Sequence, residues 1–220
     1  MQLMPCDGPE HLAETAADFL LRECADLEGQ IHFATSGGST PWATLSRFAT
    51  RLDRGSDLRV FQVDERQAPD GDQERNWTQV EQQLCIPASV PQTNWFPMPV
   101  LTEDRKRAAD DYEQTLPKQL DLVVLGLGTD GHTASLIPGD PVCDVAGRHV
   151  AWTAEPERGH YRMTLTFDAL AAARRIVWLV SGEAKTPMLR RLLDGDPTIP
   201  AGRVHAERAV VISDALPAPR

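Results

Sequence analysis

The sequence predicts an α/β fold, a three-layer sandwich in which helices cover both faces of a mainly parallel, Rossmann-like sheet. Strand-like and helix-like segments alternate along the chain, which is typical of parallel strands joined by helices. The run Leu-Val-Val-Leu at residues 122–125 is apolar throughout, as expected of a strand buried on both faces. No internal repeat or low-complexity linker divides the 220 residues, so we predict a single domain over residues 1–220.

The first half of the chain begins with this alternation. Apolar residues at helical spacing predict an amphipathic helix over residues 10–27. A β-prone run at residues 31–35 predicts a strand, and Pro41 suits the first turn of a helix that continues to residue 52. The next predicted elements are a strand at residues 58–63, a polar loop at 64–76, a helix at 77–84 and a strand at 94–97.

The second half continues the pattern. A charged surface helix is predicted at residues 103–116, before the apolar strand at 122–125. The tail at residues 216–220, which contains two prolines, is expected to be frayed. The remaining predicted elements are strands at residues 149–153, 163–167, 176–180 and 209–212, and a helix at 184–193.

Composition and charge exclude several classes of function. The net charge of −10 would repel a phosphate-rich polymer, and no local basic patch offsets it, so no nucleic-acid partner is expected. No run approaches the ~18–20 apolar residues of a membrane span, and the N-terminus lacks the pattern of a signal peptide. We therefore expect a cytoplasmic protein without a membrane partner. The sequence is compatible with a monomer or a small homo-oligomer.

The cysteines do not form a recognisable metal or disulfide motif. They lie far apart, with no Cys-x-x-Cys pair and no Cys/His pair at zinc spacing. We expect buried or half-buried free thiols and no metal ion. The four are Cys6, Cys24, Cys85 and Cys143.

Residues 36–41, Ser-Gly-Gly-Ser-Thr-Pro, follow the strand predicted at residues 31–35 and begin the next predicted helix. Two glycines allow a close backbone approach to a ligand, and free N–H groups at a helix start attract anions. No Gly-Lys-Ser/Thr follows, so this is not a Walker A loop. An ordinary Gly-rich turn with a Ser/Thr cap is the alternative. The candidate phosphate-binding residues are Gly37, Gly38, Ser39 and Thr40.

Asp64-Glu65-Arg66 directly follows the predicted strand at residues 58–63. Two acids and an arginine at the carboxyl end of a strand could orient polar substrate groups or position a base. A solvated loop with a surface ion pair is the alternative interpretation.

Residues 126–139 leave the most apolar strand and contain three glycines within six residues, which indicates a tightly folded loop. His132 is placed at the expected start of a short helix, and an imidazole with its ordinary pKa of ~6.5 is suited to proton transfer near neutral pH. Asp130 could hold the imidazole ring. A structural histidine that caps a turn is the alternative. The spacing does not match a dinucleotide fingerprint.

Two cations could close on a dianion: Arg162, which opens a half-buried strand pattern, and Lys185, at a strand-to-helix turn. Taken alone, each is better explained as a solvated surface charge. The other histidines show no comparable context and are expected to be structural; they are His11, His32, His149, His160 and His205.

Taken together, these segments resemble the 6-phosphogluconolactonase family, within a wider sugar-phosphate group that includes glucosamine-6-phosphate isomerase/deaminase. Ser-Gly-Gly-Ser-Thr-Pro resembles the phosphate loop of the family, Asp-Glu-Arg its second motif, and the segment centred on His132 its most specific motif. Arg162 and Lys185 stand where the family keeps cations for phosphate. The order and spacing of all five segments agree over most of the chain.

The resemblance implies hydrolysis of 6-phospho-D-glucono-1,5-lactone to 6-phosphogluconate, without a metal or organic cofactor. His132 would activate water and Asp130 would support it. Loop N–H groups or an arginine would stabilise the oxyanion. Residues 37–40, with Arg162 and Lys185, would hold the phosphate. The sugar end of the substrate would be contacted, or the site shaped, by Asp64, Arg66 and Asn76.

Two departures from the family pattern stand out. The family often has Ser-Asn where this chain has Arg75-Asn76, which adds a charge whose effect the sequence does not place. An aromatic residue usually precedes the Pro-Gly that ends the third motif, and here Ile137 replaces it.

Ile137 also bears on the two alternative functions. A glucosamine-6-phosphate isomerase/deaminase of this group carries a Glu shortly after the motif His, within Asn-Glu-Pro, whereas here Leu-Ile-Pro occupies residues 136–138. An isoleucine cannot perform acid–base chemistry, so the lactonase interpretation is favoured. A non-catalytic sugar-phosphate sensor would need the phosphate loop but not residues 130–132.

Overall fold

A computed structural model describes residues 1–204 and 208–215 of the protein. The predicted tail at residues 216–220 lies outside the described residues. In chain order the strands are β1 (Gln2–Pro5), β2 (Ile31–Thr35), β3 (Leu58–Gln62), β4 (Asp64–Arg66), β5 (Trp95–Phe96), β6 (Leu122–Gly126), β7 (Val150–Trp152), β8 (Arg162–Leu165), β9 (Arg175–Val180) and β10 (Ala209–Ser213).

Seven of these strands form a central sheet in the order β1-β10-β9-β6-β2-β3-β5, and every neighbouring pair is parallel. From β2 the chain builds outward through β3 to β5. It then returns to the other side of β2 with β6 and builds outward again. The strand order therefore reverses between β2 and β6, and this kind of switch opens a crevice beyond the carboxyl ends of the strands.

Helices cover both faces of the sheet, as predicted. They are α1 (Pro9–Ala25), α2 (Ser39–Ala49), α3 (Asn76–Val80), α4 (Arg105–Thr115), α5 (Phe167–Ala171) and α6 (Thr186–Leu193). Alternate residues of β6 enter different cores: Leu122 and Val124 pack with α1 and α2, whereas Val123 and Leu125 pack with α4, α5 and α6. The strand is thus buried on both faces, as its continuous apolar run predicts.

A second, three-stranded sheet corrects the prediction for residues 64–66. These residues form β4, not a loop, and the small sheet has the antiparallel order β4-β8-β7. The chain passes between sheets at Val63, whose N–H donates to Thr35 of the central sheet while its carbonyl accepts from Leu165 of β8. A polar segment can pair here because strand hydrogen bonds are made by the backbone.

Several predicted boundaries also change. Strand β1 was not predicted, because its four residues show no alternation of apolar and polar side chains that would indicate a strand. The helix predicted at residues 77–84 is instead α3 followed by one π-helical turn, Glu81–Cys85. A 3₁₀ turn, Glu183–Lys185, precedes α6. All four cysteines are buried and free, and burial raises the pKa of the Cys24 and Cys85 thiols to about 12.

Candidate active site

A cavity of about 360 Å³ opens at the carboxyl edge of the central sheet, at the switch between β2 and β6. Residues at and after the ends of four parallel strands contribute to its lining. They are residues 36–41 after β2, Asp64 and Arg66 after β3, most of residues 126–134 at the end of β6, and Leu179, Ser181 and Lys185 at the end of β9. The small sheet contributes Arg162 of β8. The parallel topology therefore brings together side chains that lie up to about 150 positions apart in the sequence.

The Gly-rich loop lies between β2 and α2. Gly38, which caps α2, has a φ of 114°, a conformation that L side chains rarely adopt. Gly37 packs against the side chain of Asn76, since a Cβ at this position would lie 2.0 Å from its Oδ1 atom. Ser39 begins α2, so the free N–H groups of this 11-residue helix start at the cavity wall.

His132 lines the cavity and is held from behind by Asp130. The Nδ1 atom of His132 lies 2.6 Å from Asp130 Oδ1, and the His132 backbone N–H donates to the same oxygen at 3.2 Å. Burial disfavours the charge on Asp130, but these hydrogen bonds and the imidazole charge outweigh it and lower the pKa of the carboxyl. With a proton on Nδ1, the ring presents its other nitrogen, Nε2, as the proton acceptor.

The predicted short helix at His132 is wrong. Residues 133–136 form a tight turn, closed by the Leu136 N–H donating to the Thr133 carbonyl, with Ala134 at a φ of 50°. Gly128 leaves the space for the acid–imidazole pair, because a Cβ there would lie 2.2 Å from His132 Nδ1. The loop therefore packs its glycine against the side chains it presents, and a regular helix would not place them so.

Asp64 is nearly buried at the base of the cavity. Ser135 Oγ donates to its Oδ2 at 2.7 Å, and Asn76 Nδ2 donates to its backbone carbonyl at 3.0 Å. These contacts fix the carboxylate and the amide beside the Gly-rich loop. Ser135 belongs to the third motif, so one hydrogen bond joins that motif to the second.

Glu65 and Arg75 do not line the cavity. The fully buried Glu65 carboxylate accepts from Gln62 Nε2 and from the backbone N–H groups of Arg66, Asn76 and Trp77. Arg75 Nε lies 3.3 Å from this carboxylate, and burial raises the pKa of Glu65 in spite of these bonds. The charge that replaces the family serine is thus the counter-ion of a buried acid that anchors α3.

Three predicted cations face the cavity. Arg66 binds Glu74, Arg162 Nη2 lies 2.8 Å from Glu157 Oε2, and both arginines have a buried Nε without a hydrogen-bond partner among the described residues. Burial lowers the pKa of Arg162 and of Lys185, opposed by Asp64 in the first case and by Asp130 in the second. Such partly desolvated cations favour an incoming anion.

Of the predicted site residues, Asp130 alone does not line the cavity; it acts on His132 from outside. The sequence reasoning missed Arg158 and Ser181, which also line it. Asp214 holds the segment after β9, accepting from Ser181 Oγ at 2.9 Å and from the Gly182 N–H at 2.8 Å. For Arg158, the available sequence signal was Gly159, because glycine marks turns.

In the part of the chain that the structure describes, the other histidines do not line the cavity. None of His11, His32, His149 and His160 lines the cavity, and His205 lies outside the described residues. Within residues 1–204 and 208–215, no group of three or more His, Cys, Asp or Glu side chains is placed to hold a metal ion. No helix within those residues has the length and apolar character needed to cross a membrane.

Solved structures with the same fold include 6-phosphogluconolactonases. The structure from Shewanella baltica has a TM-score of 0.86 at 23% identity, with 97% of each chain covered. The structure from Thermotoga maritima has a TM-score of 0.83 at 24% identity, with 96% of each chain covered. The α/β fold predicted from the sequence is therefore confirmed.

Sequence comparison gives the family. The chain is 32% identical to a 6-phosphogluconolactonase of Synechocystis over 77% of this chain and 75% of that protein. It is 35% identical to the human GDH/6PGL endoplasmic bifunctional protein over 71% of this chain, which is about a fifth (21%) of the human protein's length. A family model described as glucosamine-6-phosphate isomerases/6-phosphogluconolactonase matches residues 7–212. This match covers nearly the whole chain, and with the order of its motifs it places the protein in the glucosamine-6-phosphate isomerase/6-phosphogluconolactonase family.

Proposed function

We propose that the protein hydrolyses 6-phospho-D-glucono-1,5-lactone to 6-phospho-D-gluconate, a step of the pentose phosphate pathway. The observation that carries the proposal is His132, oriented by Asp130, in a cavity that is also lined by a Gly-rich helix start and several cations. An oriented imidazole supplies the base, and the cations account for a phosphorylated substrate.

His132 acts as the general base in the proposed reaction. Its Nε2 takes a proton from water, and the water oxygen attacks the lactone carbonyl carbon. The tetrahedral oxyanion collapses, the bond from the carbonyl carbon to the ring oxygen breaks, and the ring oxygen takes the proton back from His132. Loop N–H groups or an arginine of the cavity stabilise the oxyanion. A single positioned base contributes ~10²–10⁴-fold, which suits a lactone that also opens spontaneously in water.

The phosphate is held at the helix start and by the cations of the cavity. Gly37, Gly38, Ser39 and Thr40 supply N–H and hydroxyl donors, and Arg162 and Lys185 supply charge. The sugar end lies against Asp64, Arg66 and Asn76, whose side chains the described hydrogen bonds hold in place. No metal or cofactor is required in this scheme.

Relatives of similar length support this substrate. The proteins of Synechocystis and Haemophilus influenzae that the chain matches are named 6-phosphogluconolactonases, and the chain covers 75% and 91% of them. We also propose a cytoplasmic, single-domain protein, monomeric or a small homo-oligomer.

The experiment gives the purified protein freshly made phosphogluconolactone and follows acid release against the spontaneous rate. We expect acceleration by the protein and its loss, by about 10²-fold or more, in His132→Ala. His11→Ala is the matched control, because this histidine lies on α1 with an exposed side chain and outside the cavity. Wild-type protein that gives no acceleration overturns the proposal. Ammonia release from glucosamine 6-phosphate would instead identify an isomerase/deaminase, and binding without turnover a sensor.

A further inference from the structure

The hairpin between β7 and β8 carries an arginine that the family motifs do not include. Its turn is Glu157-Arg158-Gly159-His160, closed by hydrogen bonds of 3.0 Å and 3.2 Å between the backbones of Glu157 and His160. The tip extends from the small sheet to the rim of the cavity, where Arg158 is part of the lining.

The backbone of this turn does not favour arginine. Arg158 has a φ of 51° and Gly159 a φ of 86°, and a two-residue hairpin turn with both values positive prefers Asn-Gly, Asp-Gly or Gly-Gly. An L residue with a long side chain is disfavoured in this region. The turn therefore places an arginine where local backbone preference would select a smaller residue, a pattern that is common at functional sites.

Glu157 ties the turn to the site. Its Oε2 lies 2.8 Å from Arg162 Nη2, and Arg162 is a nearly buried wall residue of the cavity. The other end of the turn is held as well, since His160 Nδ1 lies 3.1 Å from the Gln67 carbonyl oxygen. The tip is thus held against the cavity from both sides.

Arg158 itself is left largely without a partner. Its side chain is 80% exposed, and its described ion pair is a 3.9 Å contact of Nε with Glu157 Oε1, which is too long for a good hydrogen bond. The positive charges of Arg66 and Arg158 both act on Arg162 and help burial to lower its pKa, although Asp64 and Glu157 oppose this. Three guanidinium groups therefore share one region, and a dianion relieves their mutual repulsion.

We propose that Arg158 is a specificity-determining residue of this site, a cation on the hairpin tip that closes on the phosphate dianion of the substrate. The inference rests on the proposed function for its substrate. It extends that function by assigning the hairpin tip, which lies outside the five motifs, to substrate recognition. Because the group is exposed, its contribution is to binding of the phosphate and not to the chemical step.

Arg158→Asn tests the proposal, since asparagine suits a positive φ but carries no charge. We expect KM for phosphogluconolactone to rise about 5- to 10-fold with kcat nearly unchanged. Hydrolysis of unphosphorylated glucono-1,5-lactone should not change. Tm should equal or exceed that of the wild type. Arg158→Lys should restore most of the affinity, and Arg158→Gly provides a second uncharged variant if the first folds poorly.

Arg107→Gln is the matched control, because Arg107 is an exposed arginine on α4 outside the cavity. An unchanged KM in both uncharged variants of an active enzyme overturns the inference. So does an equal loss with the phosphorylated and unphosphorylated lactones. A wild-type protein without lactonase activity overturns the proposed function instead, so the two failures are distinct.

Discussion

At the scale of single residues, the site depends on close contacts that leave no spare volume. The Asp130–His132 contact of 2.6 Å exists because Gly128 has no side chain to occupy the same space. Gly37 has the same relation to Asn76. These glycines are required because they have no Cβ atom. Each packs against a side chain with a proposed role in the reaction.

Gly128→Ala should therefore damage catalysis more than folding. The new Cβ would lie 2.2 Å from His132 Nδ1 and 2.4 Å from Asp130 Oδ1, so the pair must move. We expect kcat to fall by about 10- to 100-fold, because small displacements of a catalytic group are costly. Gly29→Ala is the control, since Gly29 lies outside the cavity and a Cβ there meets nothing within 4 Å; its φ of 70° means that alanine costs stability there without reaching the site. Equal kcat in the two variants would contradict this account of Gly128.

Lys185 should make phosphate binding sensitive to alkaline pH. Burial lowers its pKa below the ordinary value of 10.5, although Asp130 opposes this, so its charge is lost at a lower pH than that of an exposed lysine. The affinity for 6-phosphogluconate should fall as pH rises through that range. Calorimetric titration with this stable product measures it. Lys185→Arg keeps its charge and should flatten the dependence; an identical fall in both proteins would exclude Lys185 as the cause.

At the scale of elements, the site is built from strand ends joined by buried polar contacts. The carboxylate of Glu65 binds the start of α3 to β4, and Ser135 joins the loop after β6 to Asp64 of the same short strand. The position of Asn76 is therefore set by the hydrogen bond from its backbone N–H to Glu65, and its side chain then packs against Gly37. Loss of one such contact changes the position of a whole segment.

Arg75→Met should destabilise the protein, because it leaves the buried Glu65 without its counter-ion. Removing one partner of a buried pair costs about 3–5 kcal/mol, and the four other donors to Glu65 reduce this to about 2–4 kcal/mol. Chemical denaturation measures the free energy of unfolding. KM, measured at temperatures well below Tm, should change little, because Arg75 does not line the cavity and the backbone N–H groups of Asn76 and Trp77 still donate to Glu65 and keep α3 in place.

The control for Arg75 is Arg51→Met, which removes exposed ion pairs with Glu14 and Asp18 and should cost less than about 1 kcal/mol. If the two variants lost equal stability, burial of the Arg75–Glu65 pair would not be the reason.

At the scale of the whole molecule, a chain of net charge −10 gathers positive groups at one edge of its sheet. Arg66, Arg158, Arg162 and Lys185 line the cavity, with Asp64 as the acidic side chain among the lining residues. An acidic protein can thus attract a small dianion locally while its overall charge repels polyanions.

The sequence by itself determined the fold class and most of the residues that line the cavity. The spacing of apolar residues and the positions of Gly and Pro identify the helices and strands. Motifs at the carboxyl ends of parallel strands must then lie at the same edge of the sheet. Local patterns also sufficed for the Gly-rich loop and for the Asp130–His132 pair, whose members are two positions apart.

Only the tertiary structure decided what depends on contacts between distant segments. The pairing of residues 64–66 with β8 in a second sheet, the hydrogen bond between Ser135 and Asp64, and the entry of Arg158 into a cavity lined by the loops after β2, β6 and β9 are all of this kind. Each is set by backbone hydrogen bonding or packing with residues far away in the chain, and local propensity carries no record of such partners.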